Sequence, residues 1–305
     1  MERWQIILIT VLIPVLILVF VGVYLASKFW EIYCKICSQM EPTNFRTRKG
    51  KSPDRGFIPK FTDKARLSQD LSQMYYYHDN IWHRKLPNSL LAKFVLRDNG
   101  CHAPPNAIAF EPEPGRLFII FRSTKTNFEI SQNLRICQKK IHDFGHVHRG
   151  VARMYAELRV PVLCFLEKNY DKYSEIVVFG HSLGGAFVNI LSIELQKNYP
   201  NIWGKITAFS SGSPKVLDPK TVKGFEELDT DGRLTQIVND ADIVVHQPLC
   251  ATTECDKVYY YKSFRKRVLA FNRVVRGRAM DSHVTSLYSK TLWEPCESVG
   301  LYMNF

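Results

Sequence analysis

Apolar and polar positions alternate along this chain in several distinct regimes. From Ile6 to Leu25 the run is apolar throughout, about twenty residues without a formal charge, enough for a helix to cross the ~30 Å hydrocarbon layer of a bilayer. Trp4 precedes it, and Tyr24 and Trp30 close it, as interfacial anchors do. A cleaved signal peptide fits less well. The run exceeds the usual apolar region, and Ala26 is preceded by Tyr24 where a cleavage site needs a small residue. The expectation is an N-terminal transmembrane helix that is retained. Periodicity then disappears through Pro42, Gly50, Pro53, Gly56 and Pro59, interleaved with basic residues, which reads as a tether. Asp63 is placed to cap a helix with Leu67, Leu71, Met74 and Tyr75 on one face. Ile81, Trp82, Leu90, Leu91, Phe94 and Leu96 mark further packing segments.

Beyond these, strand-like and helix-like patterns alternate. Ala107–Phe110 and Leu117–Phe121 are short apolar runs separated by the turn-forming Glu-Pro-Glu-Pro-Gly. Val151, Met154, Tyr155, Leu158, Val162, Phe165 and Leu166 follow helical spacing, with Pro161 as a kink or break. Ile176–Phe179 has no polar member and reads as a strand buried on both faces. Phe187, Ile190, Leu191 and Leu195 return to helical spacing, and Ile206–Phe209 and Leu234–Val238 are two more strands. The fold class expected is α/β, with a largely parallel central sheet. Residues 1–30 form the anchor and its flanks, 31–60 a basic juxtamembrane tether, and 61–305 one α/β domain.

With 305 residues, 46% of them hydrophobic, the chain can bury a full-sized core. Its net charge of +12 suits nucleic acid or anionic lipid, but no nucleic-acid-binding motif is present, so lipid is the expected partner. Only Arg3 flanks the apolar run on its N-terminal side. Lys28, Lys35, Arg46, Arg48, Lys49 and Lys51 follow it, which predicts a single-pass protein with its C-terminal domain in the cytoplasm. No Asn-x-Ser/Thr sequon contradicts this. Of the 8 cysteines, Cys34 and Cys37 form an isolated CxxC without a second half-site, so no metal is expected there; S-acylation beside the membrane, or two free thiols, is the alternative use. Cys250 and Cys255 are spaced for a small disulfide loop only in an oxidising compartment.

The candidate chemistry centres on Gly180-His181-Ser182-Leu183-Gly184. A Gly-x-Ser-x-Gly bend between a buried strand and a helix presents its serine at the helix N-terminus, where backbone N–H groups favour developing negative charge; the bland alternative is a helix cap. A serine nucleophile needs an imidazole base, and the imidazole needs a carboxylate. In a sheet of this type acid and base follow the serine in that order. Asp242 and its rival Asp240 both lie in the polar loop after the strand Leu234–Val238. His283 has a loop of its own and is free to fold back, whereas His246 lies too close to Asp242 along the chain, and His181 should point away from Ser182. The backbone N–H of Leu183 and the hydroxyl and N–H of Thr124 are candidate oxyanion donors.

From about Ala107 to Tyr288 the chain resembles the class 3 lipases, the family of fungal triacylglycerol lipases. The residues that carry the likeness are Phe121-Arg122-Ser123-Thr124-Lys125-Thr126 followed by Glu129, Ile130, Asn133 and Leu134; Val147-His148-Arg149-Gly150; Gly212-Ser213-Pro214-Lys215-Val216; Asn239-Asp240-Ala241-Asp242-Ile243-Val244; and His283 with Tyr288. The resemblance implies an α/β-hydrolase fold, Asp242 rather than Asp240 as the acid, and a serine esterase without metal or organic cofactor. Ser123 stands where the family has glycine, Ile130 where it has tryptophan, and Val245 where it has proline. The segment after Thr124 often forms a lid in that family, and Phe128, Ile130, Leu134 and Ile136 would supply its apolar side, unless it is an ordinary core helix. Lys257 to Arg278 mixes cations with aromatic residues, suggesting contact with acidic headgroups or, equally, a solvated basic face. The function expected is a membrane-anchored lipase or esterase acting on acylglycerols or phospholipids, and the alternative is an inactive membrane scaffold with the same fold. The sequence specifies no protein partner.

Overall fold

The computed structural model describes residue 68 and residues 90–97, 104–141, 145–248, 250–252, 258–264, 267–271, 281–293 and 302–304. All belong to one unit, Gly50–Phe305. The apolar run Ile6–Leu25, the tether and the helix expected after Asp63 lie outside the described residues, apart from Ser68. Among the described residues no helix is long and apolar enough to cross a membrane.

In chain order the elements are β1 (Leu90–Phe94), β2 (Ala107–Glu113), β3 (Arg116–Phe121), α1 (Asn127–Asn133), β4 (Gln138–Ile141), β5 (Gly145–His148), α2 (Arg149–Asn169), β6 (Glu175–His181), α3 (Leu183–Asn198), β7 (Ile206–Ser211), α4 (Pro219–Leu228), β8 (Leu234–Asn239), β9 (Cys250–Thr252), β10 (Val258–Tyr260), β11 (Val268–Phe271), α5 (Thr285–Trp293) and β12 (Tyr302–Asn304). Eight strands form the central sheet in the order β1-β2-β3-β6-β7-β8-β11-β12. The five from β3 to β11 run parallel, and β1, β2 and β12 are antiparallel at the two edges. This is an α/β fold with a mostly parallel central sheet. The hairpins β4–β5 and β9–β10 stand outside it.

The period of two along the strands separates two cores. Leu117, Ile119, Phe121, Ile176 and Val178 pack on one face against α2 and α3. Phe118, Ile120, Val177, Phe179 and Phe209 pack on the other with Tyr288 and Leu292 of α5. Both faces are covered, so β6 carries no polar alternation. For the same reason α3 is buried all round from Leu183 to Leu195. Pro161 neither breaks nor ends α2, which runs unbroken from Arg149 to Asn169. The ring sits on the exposed side of the helix, where the carbonyl it deprives of a donor can turn to water.

Candidate active site

Strand β6 runs directly into α3 through Ser182, whose backbone is at φ 57, ψ −121. A side chain there is strained, at a cost of about 1–3 kcal/mol. Two glycines make the bend possible. A Cβ on Gly180 would lie 2.2 Å from the carbonyl carbon of Gly184, and one on Gly184 would lie 2.3 Å from the Phe121 carbonyl oxygen. The helix start is therefore wedged against the ends of β6 and β3, and the Ser182 N–H is tied to the Ser211 carbonyl at 2.9 Å.

The structure brings Ser182, His283 and Asp242 into one hydrogen-bonded chain. Ser182 Oγ lies 2.8 Å from His283 Nε2, and His283 Nδ1 lies 2.7 Å from Asp242 Oδ2. With Nδ1–H donating to the carboxylate, Nε2 is left to accept the serine proton. Asp242 follows β8 and is fully buried. Its Oδ1 accepts from the Val244 N–H at 2.8 Å, and its Oδ2 also accepts from the Tyr288 hydroxyl at 2.7 Å. That hydroxyl in turn accepts from the Asn239 N–H at 3.1 Å. Burial, followed by the Asp242 charge, pushes the Tyr288 phenol well above its ordinary range, so it remains a donor to the carboxylate. His283 lies on a single turn, Asp281–His283, ahead of α5; Asn239 Nδ2 donates to the Ser282 carbonyl at 3.0 Å and fixes that turn to the end of β8. The rival residues are elsewhere: His246 Nε2 lies 3.0 Å from the backbone oxygen of Asp240.

His181 does turn away from Ser182, as its place in the bend requires, but it ends against His283. The two rings stack with centroids 5.0 Å apart and planes 28° from parallel. His181 Nε2–H donates to the His283 carbonyl at 2.9 Å, leaving Nδ1 to accept from the Ser211 hydroxyl at 3.3 Å. Burial, and next the nearby His283, drive its pKa well below the ordinary histidine value. His181 is thus a neutral brace beneath His283, a role that the sequence pattern did not signal.

Thr124 and Leu183 both line the pocket beside Ser182. The Leu183 N–H is the first of α3 and has no intrahelical acceptor by position. Thr124 Oγ1 accepts from Asn133 Nδ2 at 3.0 Å. The loop is fixed from below by a pair that sequence reasoning passed over. Arg122 and Glu129, 1% and 0% exposed, form a two-pronged ion pair with distances of 2.8 and 2.9 Å. Glu129 also receives the N–H groups of Lys125 and Thr126 and closes a capping box with Thr126 at the start of α1. The Thr126-x-x-Glu129 spacing was the signal that could have revealed it. Ser123, standing for the family's glycine, donates its hydroxyl to the His181 carbonyl at 3.1 Å and joins the loop to the end of β6.

Above Ser182 and His283 opens a cavity of about 740 Å³. Its walls are largely apolar: Ile130, Leu134, Ile136, Val151, Val216, Val244 and Val284 contribute, with Pro214 and Pro248. His148, at the start of α2, forms part of the wall and accepts from the Val151 N–H at 3.4 Å; burial lowers its pKa to about 4. Among the described residues no group of three or more His, Cys, Asp or Glu side chains is arranged to hold a metal. An activated serine under an apolar cavity can perform acyl transfer on a substrate with an apolar tail.

Comparison with known proteins agrees with this geometry. Residues 118–252 match the family "Lipase (class 3)". A phospholipase A1-II 1 of Oryza sativa subsp. indica is 34% identical over 94 residues, 30% of this chain and 24% of that protein. A lipase of Rhizomucor miehei is 28% identical over 108 residues, 34% of this chain and 29% of that one. The matched stretch thus spans only about a quarter of these relatives' lengths. In three dimensions the fold is similar to the Rhizomucor miehei lipase in its propeptide complex, with TM-score 0.54 and 16% identity over 81% of this chain and 86% of that one. It is also similar to a lipase of Yarrowia lipolytica, with TM-score 0.53 and 17% identity over 74% and 83%. Over residues 118–252 the α/β domain of this chain is similar to the class 3 lipases.

Proposed function

We propose that this protein is a serine carboxylic-ester hydrolase that cleaves acyl ester bonds of lipids. The observation that carries the proposal is the hydrogen-bonded chain Ser182–His283–Asp242 at the floor of an apolar cavity. As the Ser182 Oγ attacks the acyl carbonyl, its proton passes to His283 Nε2. The carbonyl oxygen becomes an oxyanion within reach of the Thr124 hydroxyl and the Leu183 N–H. Collapse of the tetrahedral intermediate transfers the proton from His283 to the departing alcohol oxygen and leaves an acyl-Ser182 ester. Water, deprotonated by His283, attacks this ester in turn and releases the fatty acid, and Ser182 recovers its proton. Asp242 holds the imidazole tautomer and stabilises the imidazolium in both halves. The names of the relatives, a phospholipase A1 and a lipase, support lipid esters as the substrate class.

The same reading places the domain on the cytoplasmic side of a membrane, held by an anchor at Ile6–Leu25. It is supported by the length of that apolar run and by the excess of Lys and Arg that follows it. The substrate is then a lipid of the membrane that holds the enzyme or of one apposed to it.

A substrate panel tests the chemistry. The full chain is incubated with a short-chain p-nitrophenyl ester, mono-, di- and triacylglycerol, and phosphatidylcholine in mixed micelles, beside Asp242→Asn. The expected result is fatty-acid release from at least one lipid, with kcat lowered about 10⁴-fold in the variant. Equal rates for the two proteins, or a folded native chain that turns over no ester, would overturn the proposal.

A further inference from the structure

The parallel ladder between β3 and β6 ends at the pair Phe121–Gly180. Continued in that register, the N–H of residue 123 would go to the carbonyl of residue 181. The loop turns off there, and a side chain takes over: the Ser123 hydroxyl donates to the His181 carbonyl at 3.1 Å, across 58 positions of sequence. His181 is buried, so its carbonyl needs a partner from within the protein. A glycine, as in the family pattern, has no side-chain atom to make this bond.

That bond joins the two parts of the site. Ser123 directly precedes Thr124, and His181 directly precedes Ser182. Thr124 therefore lies between two fixed residues. On one side Ser123 is held by its hydroxyl to the end of β6 and by its carbonyl, which accepts from Arg122 Nη1 at 2.8 Å. On the other, the Lys125 N–H donates to Glu129 Oε2 at 2.7 Å. Arg122 donates to the carbonyls of Pro104 and Pro105, and Glu129 accepts from Asn106 Nδ2, so this ion pair fixes the loop to its own flank. Of these bonds, the one from the Ser123 hydroxyl reaches the strand that carries the nucleophile. Ser123 also lines the cavity together with Thr124, Ser182 and Leu183.

We infer that Ser123 is a positioning residue, whose hydroxyl sets the Thr124 hydroxyl at the distance from Ser182 that the oxyanion requires before substrate arrives. This rests on the proposed reading of the site as a serine ester hydrolase, and it assigns a role to a residue at which the chain departs from the family pattern. The bond is already made in the free protein, so what it supplies is preorganisation. It favours the charged tetrahedral species and leaves binding of the neutral ester unchanged.

The test measures initial rates on a soluble short-chain p-nitrophenyl ester for the full-length native chain, Ser123→Ala, Ser123→Gly and Ser123→Thr. Ser123→Ala is expected to lower kcat about fivefold, the worth of one neutral hydrogen bond, with KM unchanged. Ser123→Gly also frees the backbone and lowers kcat further, whereas Ser123→Thr keeps the hydroxyl and recovers most of the native rate. A trifluoromethyl ketone, whose adduct with Ser182 carries an oxyanion, binds Ser123→Ala more weakly by the factor that kcat/KM loses. In a Thr124→Ala background the same Ser123→Ala change costs less than about twofold, because the group it positions is gone. Native kcat and inhibitor affinity in Ser123→Ala, a rise in KM at constant kcat, or an equal fall in kcat in both backgrounds overturns the inference while the hydrolase reading stands. A folded native chain that turns over no ester overturns the hydrolase reading and this inference with it.

Discussion

Replacing Tyr288 by Phe removes one oxygen from the floor of the site and leaves the ring. The ring packs edge-on to His181 and Phe271 with centroids 5.0 and 5.2 Å away, and those contacts are retained. The oxygen makes two buried hydrogen bonds, donating to Asp242 Oδ2 and accepting from the Asn239 N–H. A hydrogen bond to a charged group is worth about 1.5–3 kcal/mol, and a buried donor that loses its acceptor costs about 1–3 kcal/mol. Since the two share one atom they do not add fully, and a loss of about 2–4 kcal/mol in unfolding free energy is expected. Catalysis should suffer less, because Asp242 keeps the Val244 N–H and His283 as partners. A fall in kcat of roughly tenfold corresponds to ~1.4 kcal/mol of barrier. KM should stay near the native value, because Tyr288 is not among the residues that line the cavity. Urea unfolding of native and variant chains gives the first quantity, and initial rates on a soluble ester give the other two. A variant whose stability stays within about 0.5 kcal/mol of the native chain, or one whose KM rises at constant kcat, would refute this account of the hydroxyl.

Other substitutions separate the remaining parts of the site. Glu129→Gln leaves Arg122 charged and buried without its counter-ion, so stability should fall by about 3–5 kcal/mol, whereas replacing both residues by Met should cost clearly less; thermal unfolding of the three proteins decides. His181→Phe keeps a ring against His283 but removes the N–H to its carbonyl, so kcat should drop about tenfold, with partial recovery in His181→Gln, whose amide can still donate. Equal loss in both variants would mean that only bulk matters there. His148, held to about 4 when folded against an ordinary value of 6.5, is neutral in both states above pH 6.5. Below that the unfolded chain takes up a proton that the folded chain refuses, so stability falls as pH drops from 6.5 towards 4 and then levels off. This contribution is about 3 kcal/mol, and His148→Asn should flatten the stability profile across that window.

The bend around Ser182 was legible from the sequence because two independent patterns met there. A strand buried on both faces has no polar positions, and glycines are needed wherever backbones approach within van der Waals distance. The order of acid and base narrowed the partners to Asp242 or Asp240 and to His283, and the loop motif that resembles the family favoured Asp242; the geometry brings Asp242 and His283 to Ser182. Helix α1 was ambiguous for a physical reason. Its periodicity is real, but the side that meets the domain mixes Phe128 with the buried polar Glu129 and Gln132, while Ile130 is exposed, so a rule that equates apolar with inward does not decide the face. The brace formed by His181 and the tie between Asn239 and the His283 turn were invisible because they join residues 102 and 43 positions apart. The short strands β9–β12 and the β4–β5 hairpin carry three or four residues each, too few for a period of two to stand out.

Labelling with a serine-directed fluorophosphonate bears most directly on the central claim that Ser182 is a nucleophile activated by His283 and Asp242. The native full-length chain should become covalently modified at Ser182 alone. Ser182→Ala should not react, and His283→Ala should react far more slowly although it remains folded. No labelling of the folded native chain, or labelling that persists in Ser182→Ala, would contradict the account.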